Sequence, residues 1–506
     1  MTMGALDRSM PVAVIGAGTM GAGIAQVAAA AGHPVYLMDM LPGAVTQAID
    51  GIAARLSRSV EKGRISAAAR DALLGNLKPA STIAELADAG LVIEAVVEEL
   101  GAKQALFAEL EAVLDDGAIL ATNTSSLSVT AIASTCRLPA RVVGMHFFNP
   151  APVMALVEIV SGLASSPAVA DVVQATAKAW GKAPAACRST PGFIVNRVAR
   201  PFYGEALRLV EEGIANPATV DALLTGGAGF RMGPFALMDL IGIDVNLAAN
   251  EGVWAGMGYD PRYAPTALQR EMVAAGHLGR KTGRGYFDYT EGAASEVPDF
   301  VAAAPTPGRV VLRGIGGSMP RLAERLAAAD IEVSRQDGSS ALIVDGFCLR
   351  VSDGRSASIR WVHEDERADV LFDHVPDWAT ASAIAVSGAA QADQRAPLAA
   401  AGLFQALGMD VAVVGDGAGL VVLRTMAMIA NEAVSAVETG VCRPGDVDLA
   451  MRKGTNWPRG PLAWGDALDS RQLLTVMENL FNNFGSDRYR PQALLRRTAA
   501  AGATLS

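Results

Sequence analysis

Residues 12–39 carry the feature that most restricts what this chain can fold into. Val12-Ala13-Val14-Ile15 is an apolar run of strand length that ends in Gly16-Ala17-Gly18-Thr19-Met20-Gly21. An alanine-rich stretch of high helical propensity follows from Ala22 to Ala31 and is stopped by Gly32; a second strand, Val35 to Met38, then delivers Asp39. Strand, G-x-G-x-x-G turn, helix and strand with a terminal acid about 20 residues on form a dinucleotide-binding βαβ unit. Gly16 permits the tight turn, and Gly18 lets the backbone approach a pyrophosphate that the helix N-terminus stabilises. Gly21 lets helix and strand pack closely. Asp39 suits a ribose diol and repels a 2′-phosphate, so the pattern predicts NAD rather than NADP. Further buried parallel strands are predicted at Leu91-Val92-Ile93, Ala118–Ala121 and Arg141–Gly144. Beyond their carboxyl ends stand Glu98, Ser125 and His146. In a doubly wound sheet those ends line one crevice, so the three residues should converge there.

His146 sits in Gly144-Met145-His146-Phe147-Phe148-Asn149-Pro150, with Glu158 twelve residues further on. An imidazole of ordinary pKa about 6.5 exchanges a proton near neutrality, and a carboxylate beside it favours the charged form. That is the equipment of a general base for alcohol oxidation. Taken singly these residues have plainer readings. His146 is then a core histidine, Ser125 a helix cap, Asn196 a mid-helix amide and Lys281 a solvated lysine in a glycine-rich tail. Their company in one chain points to a site.

GAGTMGAGIA, EAVVE, NTSSLS, GMHFFNPAPVMALVEIV and TPGFIVNR, in this order and spacing, resemble the 3-hydroxyacyl-CoA dehydrogenases over residues 11 to about 290. The length and second half look like the 3-hydroxybutyryl- or 3-hydroxyadipyl-CoA dehydrogenases of bacterial phenylacetate catabolism. The resemblance implies NAD-dependent oxidation of a (3S)-3-hydroxyacyl-CoA, a step of fatty acid metabolism. It implies His146 as general base, Glu158 as its orienting partner, and Ser125 and Asn196 as groups holding the substrate oxygen. It places Gly16, Gly18, Thr19, Met20, Gly21, Asp39, Glu98, Lys103, Ser125, Asn149 and Lys281 at cofactor positions. Arg55 and Lys62 fall near coenzyme A contacts, although a solvated helix face is the better reading of them. The competing readings are a free hydroxy-acid dehydrogenase and a non-catalytic NAD-binding or structural protein on the same fold.

At 506 residues the chain is too long for one core. The expected organisation is an α/β Rossmann-type doubly wound sheet (1–188), an all-α domain (189–290), a proline-marked linker (291–308), a degenerate Rossmann-like domain (309–415) and a second helical domain (416–506). A gapless duplication supports the last. Gly192-Phe193-Ile194-Val195-Asn196-Arg197 matches Gly419-Leu420-Val421-Val422-Leu423-Arg424, and at the same offset of 227 Glu205 matches Glu432, Asp221 matches Asp448 and Asp239 matches Asp466. The copies should pack on one another, burying a face that a simple dehydrogenase buries by dimerising. Further back, Val310–Gly316 resembles the first strand and glycines, with Asp337 where Asp39 was. Ala341–Val344 reads as a strand, and Ala357–Trp361 as a return strand of a hairpin. Asn196 becomes Leu423 and no second Ser125 or His146 is evident, so one active site per chain is expected.

A net charge of −10 disfavours nucleic-acid binding. The 51% hydrophobic content is rich in alanine and contains no spanning run, so no membrane association is expected. No targeting segment or C-x-x-C pair is seen, and the expectation is a cytoplasmic protein with reduced thiols, no metal cluster and an open choice between monomer and homodimer.

Overall fold

A computed structural model describes residues 4–294, 296–314, 319–329 and 331–506. The chain divides into two compact units, Met1–Arg197 with Thr439–Asn456, and Val198–Glu438 with Trp457–Ser506.

The first unit is built on eight strands: β1 (Val12–Ile15), β2 (Val35–Met38), β3 (Leu77–Ala80), β4 (Leu91–Glu94), β5 (Ile119–Thr122), β6 (Val142–Phe147), β7 (Leu156–Ser161) and β8 (Ala183–Arg188). Their order is β3-β2-β1-β4-β5-β6-β7-β8. The chain crosses over between β1 and β4, which opens the ligand crevice of a doubly wound sheet at their carboxyl ends. β1 to β6 run parallel, and β7 reverses against β6. The central strands are apolar on both faces because helices cover both; Val12 and Leu91 on one face and Ala13 and Val92 on the other are at most 1% exposed. The first helix spans Thr19–Ala30, so the last residues of the glycine motif form its opening turn. The helix Pro444–Gly454, inside the stretch expected as a second helical domain, packs on β7 and β8 of this unit. The Arg188 N–H donates to the Val441 carbonyl at 2.8 Å.

The second unit carries β9 (Arg309–Arg313), β10 (Glu332–Gln336), β11 (Ala341–Val344), β12 (Phe347–Val351), β13 (Val370–Phe372), β14 (Ala383–Gly388) and β15 (Asp410–Val413), in the order β10-β9-β11-β12-β13-β14-β15. β9, the helix Met319–Ala328 and β10 keep one parallel βαβ step; Ile315 and Gly316 of the degenerate motif lie outside the described residues. β11 then turns antiparallel to β9, which ends the nucleotide-type pattern.

Ala357–Trp361, expected as a return strand, is a helix. The Ser356 hydroxyl accepts from the Ile359 N–H, and the Asp416 carboxylate accepts from Ala357 at 2.6 Å and Ser358 at 3.0 Å. These contacts satisfy first-turn N–H groups that an extended strand would not present together. The partner of β11 in the hairpin is instead β12, across Asp345-Gly346. From β13 onward the copies are in step. Gly144↔Val160 and Leu156↔Ala183 in the first sheet recur 227 residues later as Leu371↔Ser387 and Ala383↔Asp410. The shortening of the second copy therefore lies upstream of β13. The stretch expected as a linker is partly docked, with the Val301 N–H donating to Val411 and the Gln405 amide bonded to Val301 and Ala304.

Helices Arg200–Glu211 and Val422–Glu438, matching parts of the two helical copies, pack together in the second unit. Glu205 is fully buried and accepts from Arg424 at 2.8 Å, Arg488 at 2.6 Å and Tyr489 at 3.0 Å. Reciprocally, Glu432 accepts from Tyr263 at 2.6 Å and Arg262 at 3.4 Å. Each copy's glutamate thus receives an Arg-Tyr pair from the other. Burial by itself would raise the Glu205 carboxyl; the charges of Arg488 and Arg424 outweigh it and hold the group at about 2.

Because that value is depressed, Glu205 contributes stability at pH above the ordinary carboxylate range, and the contribution is lost as pH falls toward about 2. Arg424→Met leaves the buried carboxylate short of a partner and should lower stability at neutral pH by roughly 3 kcal/mol or more. Chemical denaturation would show this as an earlier transition, and an unchanged midpoint would refute it.

Candidate active site

The glycine turn has the shape a dinucleotide requires. Gly16 takes φ +101, and an added Cβ there would lie 2.5 Å from the Ala95 carbonyl oxygen. At Gly21 a Cβ would fall 1.7 Å from the Gly16 oxygen, which is the close helix–strand approach expected from the motif. Gly18 differs: a Cβ would meet nothing within 4 Å, and the helix starting at Thr19 has no side-chain cap. Free N–H groups behind an open approach suit a pyrophosphate. Across the turn, the Asp39 carboxylate accepts from Ala17 at 2.6 Å and Leu41 at 2.9 Å. Its remaining lone pairs can take ribose hydroxyls, so the residues present fit NAD.

Further along the crevice Glu98 gathers the loop after β5. One oxygen accepts from the Thr124 hydroxyl at 2.7 Å, from the Ser125 N–H and hydroxyl at 2.8 and 3.2 Å, and from the Ser126 N–H and hydroxyl at 3.1 and 3.0 Å. Partial burial would raise the Glu98 carboxyl, but the Thr124 hydroxyl, the Lys103 charge and the serine donors bring it down to about 2. Lys103, expected among the cofactor contacts, is 1% exposed. Its ammonium lies 2.6 Å from Glu94 and 3.2 Å from Glu98. It is enclosed beneath the crevice rather than presented to it, because two carboxylates compete successfully with solvent for its charge.

His146 and Glu158 are direct cross-strand partners of β6 and β7. Their side chains share one face of the sheet, and His146 Nδ1 is 2.6 Å from Glu158 Oε2. The other oxygen, Oε1, accepts from the Ile194 and Val195 N–H groups at 3.0 and 2.9 Å. Glu158 is fully buried and His146 is 6% exposed, with Phe148 and Phe193 rings at 4.5 and 5.9 Å. A carboxylate acceptor on Nδ1 places the proton there and leaves Nε2 as the basic nitrogen. Asn196 follows directly from the backbone that Glu158 binds, and its amide is 3.5 Å from the Ser125 carbonyl. Glu98, Ser125, Asn196, His146 and Glu158 all belong to the first unit. Sequence reasoning passed over Asn123, whose side-chain oxygen accepts from the Phe147 N–H at 2.8 Å and ties the ends of β5 and β6 together. It also passed over Glu94; an acid ending an apolar strand, nine residues before a lysine, was the available signal.

The remaining expected residues are less engaged. Asn149 is exposed. Arg55 and Lys62 are exposed, on and just after the helix Ala44–Glu61, and Arg55 makes a 3.5 Å contact to Gln26. Lys281 lies in the second unit as an exposed ion pair with Asp244 at 2.6 Å. In the second copy the position of His146 is taken by Asp373 and that of Glu158 by Ala385. Asp373 does what Glu158 Oε1 does. Its carboxylate accepts from Val421, Val422 and Leu423, the counterparts of Ile194, Val195 and Asn196. Leu423, Met426, Trp464 and Leu473 close the neighbouring space to a void of about 10 Å³.

Comparison with known proteins shows the family. The family model described as 3-hydroxyacyl-CoA dehydrogenase, NAD binding domain, matches residues 11–190, and its C-terminal domain matches 192–289 and again 419–504. The chain belongs to the 3-hydroxyacyl-CoA dehydrogenase family. Residues 349–417 match a 3-hydroxybutyryl-CoA dehydrogenase reduced Rossmann-fold domain. The dehydrogenase is 43% identical to the 3-hydroxyadipyl-CoA dehydrogenase of Escherichia coli K12 over 96% of its own length and 97% of that protein. It is 41% identical to human mitochondrial hydroxyacyl-coenzyme A dehydrogenase over 55% of this chain and 90% of the human one. The crystal structure of a 3-hydroxybutyryl-CoA dehydrogenase from Escherichia coli K12 superposes with a TM-score of 0.89 at 41% identity, covering 98% and 99% of the two chains. The chain is thus an NAD-dependent oxidoreductase of 3-hydroxyacyl-CoA thioesters.

Gly18→Ala should leave thermal stability unchanged, since its methyl meets no protein atom, yet weaken NAD binding by about tenfold or more. Gly21→Ala should destabilise the fold itself. Melting curves and NAD titrations on both variants check the contrast.

Proposed function

We propose that His146 removes the proton from the 3-hydroxyl of the substrate through Nε2, held in that role by Glu158. The observation that carries this reading is the 2.6 Å contact between Nδ1 and a fully buried carboxylate. As the proton arrives, Glu158 stabilises the imidazolium that forms. NAD, when bound, accepts the hydride leaving C3. Ser125 and Asn196 hold the substrate oxygen, Ser125 from the loop gathered by Glu98 and Asn196 from the helix start gathered by Glu158. Glu98 serves the cofactor's nicotinamide half, with Lys103 acting through it. Arg55 and Lys62 are proposed as outer coenzyme A contacts on the strength of the family resemblance.

For the acyl chain we propose 3-hydroxybutyryl-CoA or 3-hydroxyadipyl-CoA. The relative aligned over nearly the whole chain, including the reduced second copy, is named for the adipyl substrate, which supports a place in phenylacetate catabolism. Among the described residues no helix is long and apolar enough to cross a membrane. Four free cysteines support residence in the reducing cytoplasm. A homodimer is proposed as the assembly to test by sedimentation.

His146→Ala should lower turnover by roughly 10²–10⁴ with folding intact; unchanged turnover would remove His146 from the mechanism. NADH formation measured across short, medium and ω-carboxylated 3-hydroxyacyl-CoAs assigns the chain, and equal turnover of the free hydroxy acids would refute the thioester requirement. Calorimetric titration should give one NAD per chain, because β11 runs antiparallel to β9 and the second sheet lacks the parallel switch point at which a dinucleotide sits.

A further inference from the structure

Glu94 has no part in the mechanism above, yet it is fully buried directly under the crevice. It ends β4 and is the register partner of Thr122 on β5. One of its oxygens accepts from the Lys103 ammonium at 2.6 Å and the Val96 N–H at 2.7 Å; the other accepts from the Thr122 hydroxyl at 2.7 Å. Lys103 also lies 3.2 Å from Glu98. Two carboxylates therefore share one ammonium, and the remaining donors to both, hydroxyl and backbone N–H groups, are neutral. The cluster carries one net negative charge. The lysine sits nearer Glu94, so the uncompensated charge resides on Glu98, whose side chain is 36% exposed while the other two are enclosed.

We propose that Glu94 is a positioning residue which, by taking up the Lys103 charge, leaves Glu98 negative toward the crevice and biases the site toward the oxidised nicotinamide. The oxidised ring is a cation and the reduced ring is neutral, while the rest of the dinucleotide is the same in both. A wall charge thus acts on the difference between the two affinities, and interactions with the shared parts largely cancel. Glu94 also fixes where Glu98 points, because the Lys103 ammonium bridges the two carboxylates, 2.6 Å from Glu94 and 3.2 Å from Glu98. This inference rests on the reading that the nicotinamide lies on the Glu98–Ser125 side of the crevice.

The test is the ratio of NADH to NAD⁺ dissociation constants, measured by titration of the full-length protein without acyl-CoA. A unit charge in a partly solvated wall shifts such a ratio by on the order of three- to tenfold. Glu94→Gln, which removes a fully buried charge, should lower the ratio by that amount. Glu98→Gln should match it, and the double variant should lower it further. If Glu98→Gln shifts the ratio and Glu94→Gln weakens both forms equally, or neither, the role of Glu94 is overturned. If Glu98→Gln itself leaves the ratio unchanged, the nicotinamide lies elsewhere and the placement beneath the proposal fails. Should Glu94→Gln not fold, Glu94→Asp, which keeps the charge, should restore folding with the parent ratio; a shifted ratio in that variant also overturns the proposal.

Discussion

The structure of the first unit depends on where one buried carboxylate can reach. Glu158 sits on β7 opposite His146 on β6, and a carboxylate with no access to water must find donors for both oxygens. It finds the imidazole on one side and two backbone N–H groups at residues 194 and 195 on the other. The same group therefore sets the tautomer of the histidine and fixes the backbone immediately before Asn196. The orientation of the imidazole and the placement of that backbone thus rest on one residue.

The second copy separates those two roles. Asp373 occupies the histidine's position and binds the same run of backbone N–H groups, 227 residues on, while the glutamate's position holds Ala385. Burial raises this aspartate to about 6 even though four backbone N–H groups, including that of His374, pull it down. What persists is the anchoring of a helical domain to a strand end; what has gone is the imidazole and the space beside it. The reciprocal pairing at Glu205 and Glu432 shows the complementary outcome. The two related helices meet at a charged seam, and duplication places both halves of that seam in one chain.

Much of the site was legible because it rests on short-range patterns. The glycine turn, the acid at Asp39 and the strand ends at Glu98, Ser125 and His146 follow from spacing along single elements. The errors arose where a contact from far away decides. Ala357–Trp361 has the alternation of a strand, yet Asp416 caps it as a helix from 59 residues downstream. The case of Lys103 is of another kind, since the acids that enclose it, Glu94 and Glu98, lie only nine and five residues before it. The offset of 227 was visible only from Gly192 onward in the residues, because strand register can be kept while almost every side chain changes.

The sequence alone determined the dinucleotide unit, the preference for NAD, the duplication of the helical half and the single complete set of His, Glu, Ser and Asn, since each is a matter of residue type at fixed spacing. Tertiary structure decided which partner each polar group takes. The β6–β7 register gave His146 its carboxylate, the β4–β5 register buried Glu94 beside Thr122, and packing assigned Pro444–Gly454 to the first sheet. Those outcomes depend on desolvation and on competition among donors brought together by the fold, and no local pattern encodes them.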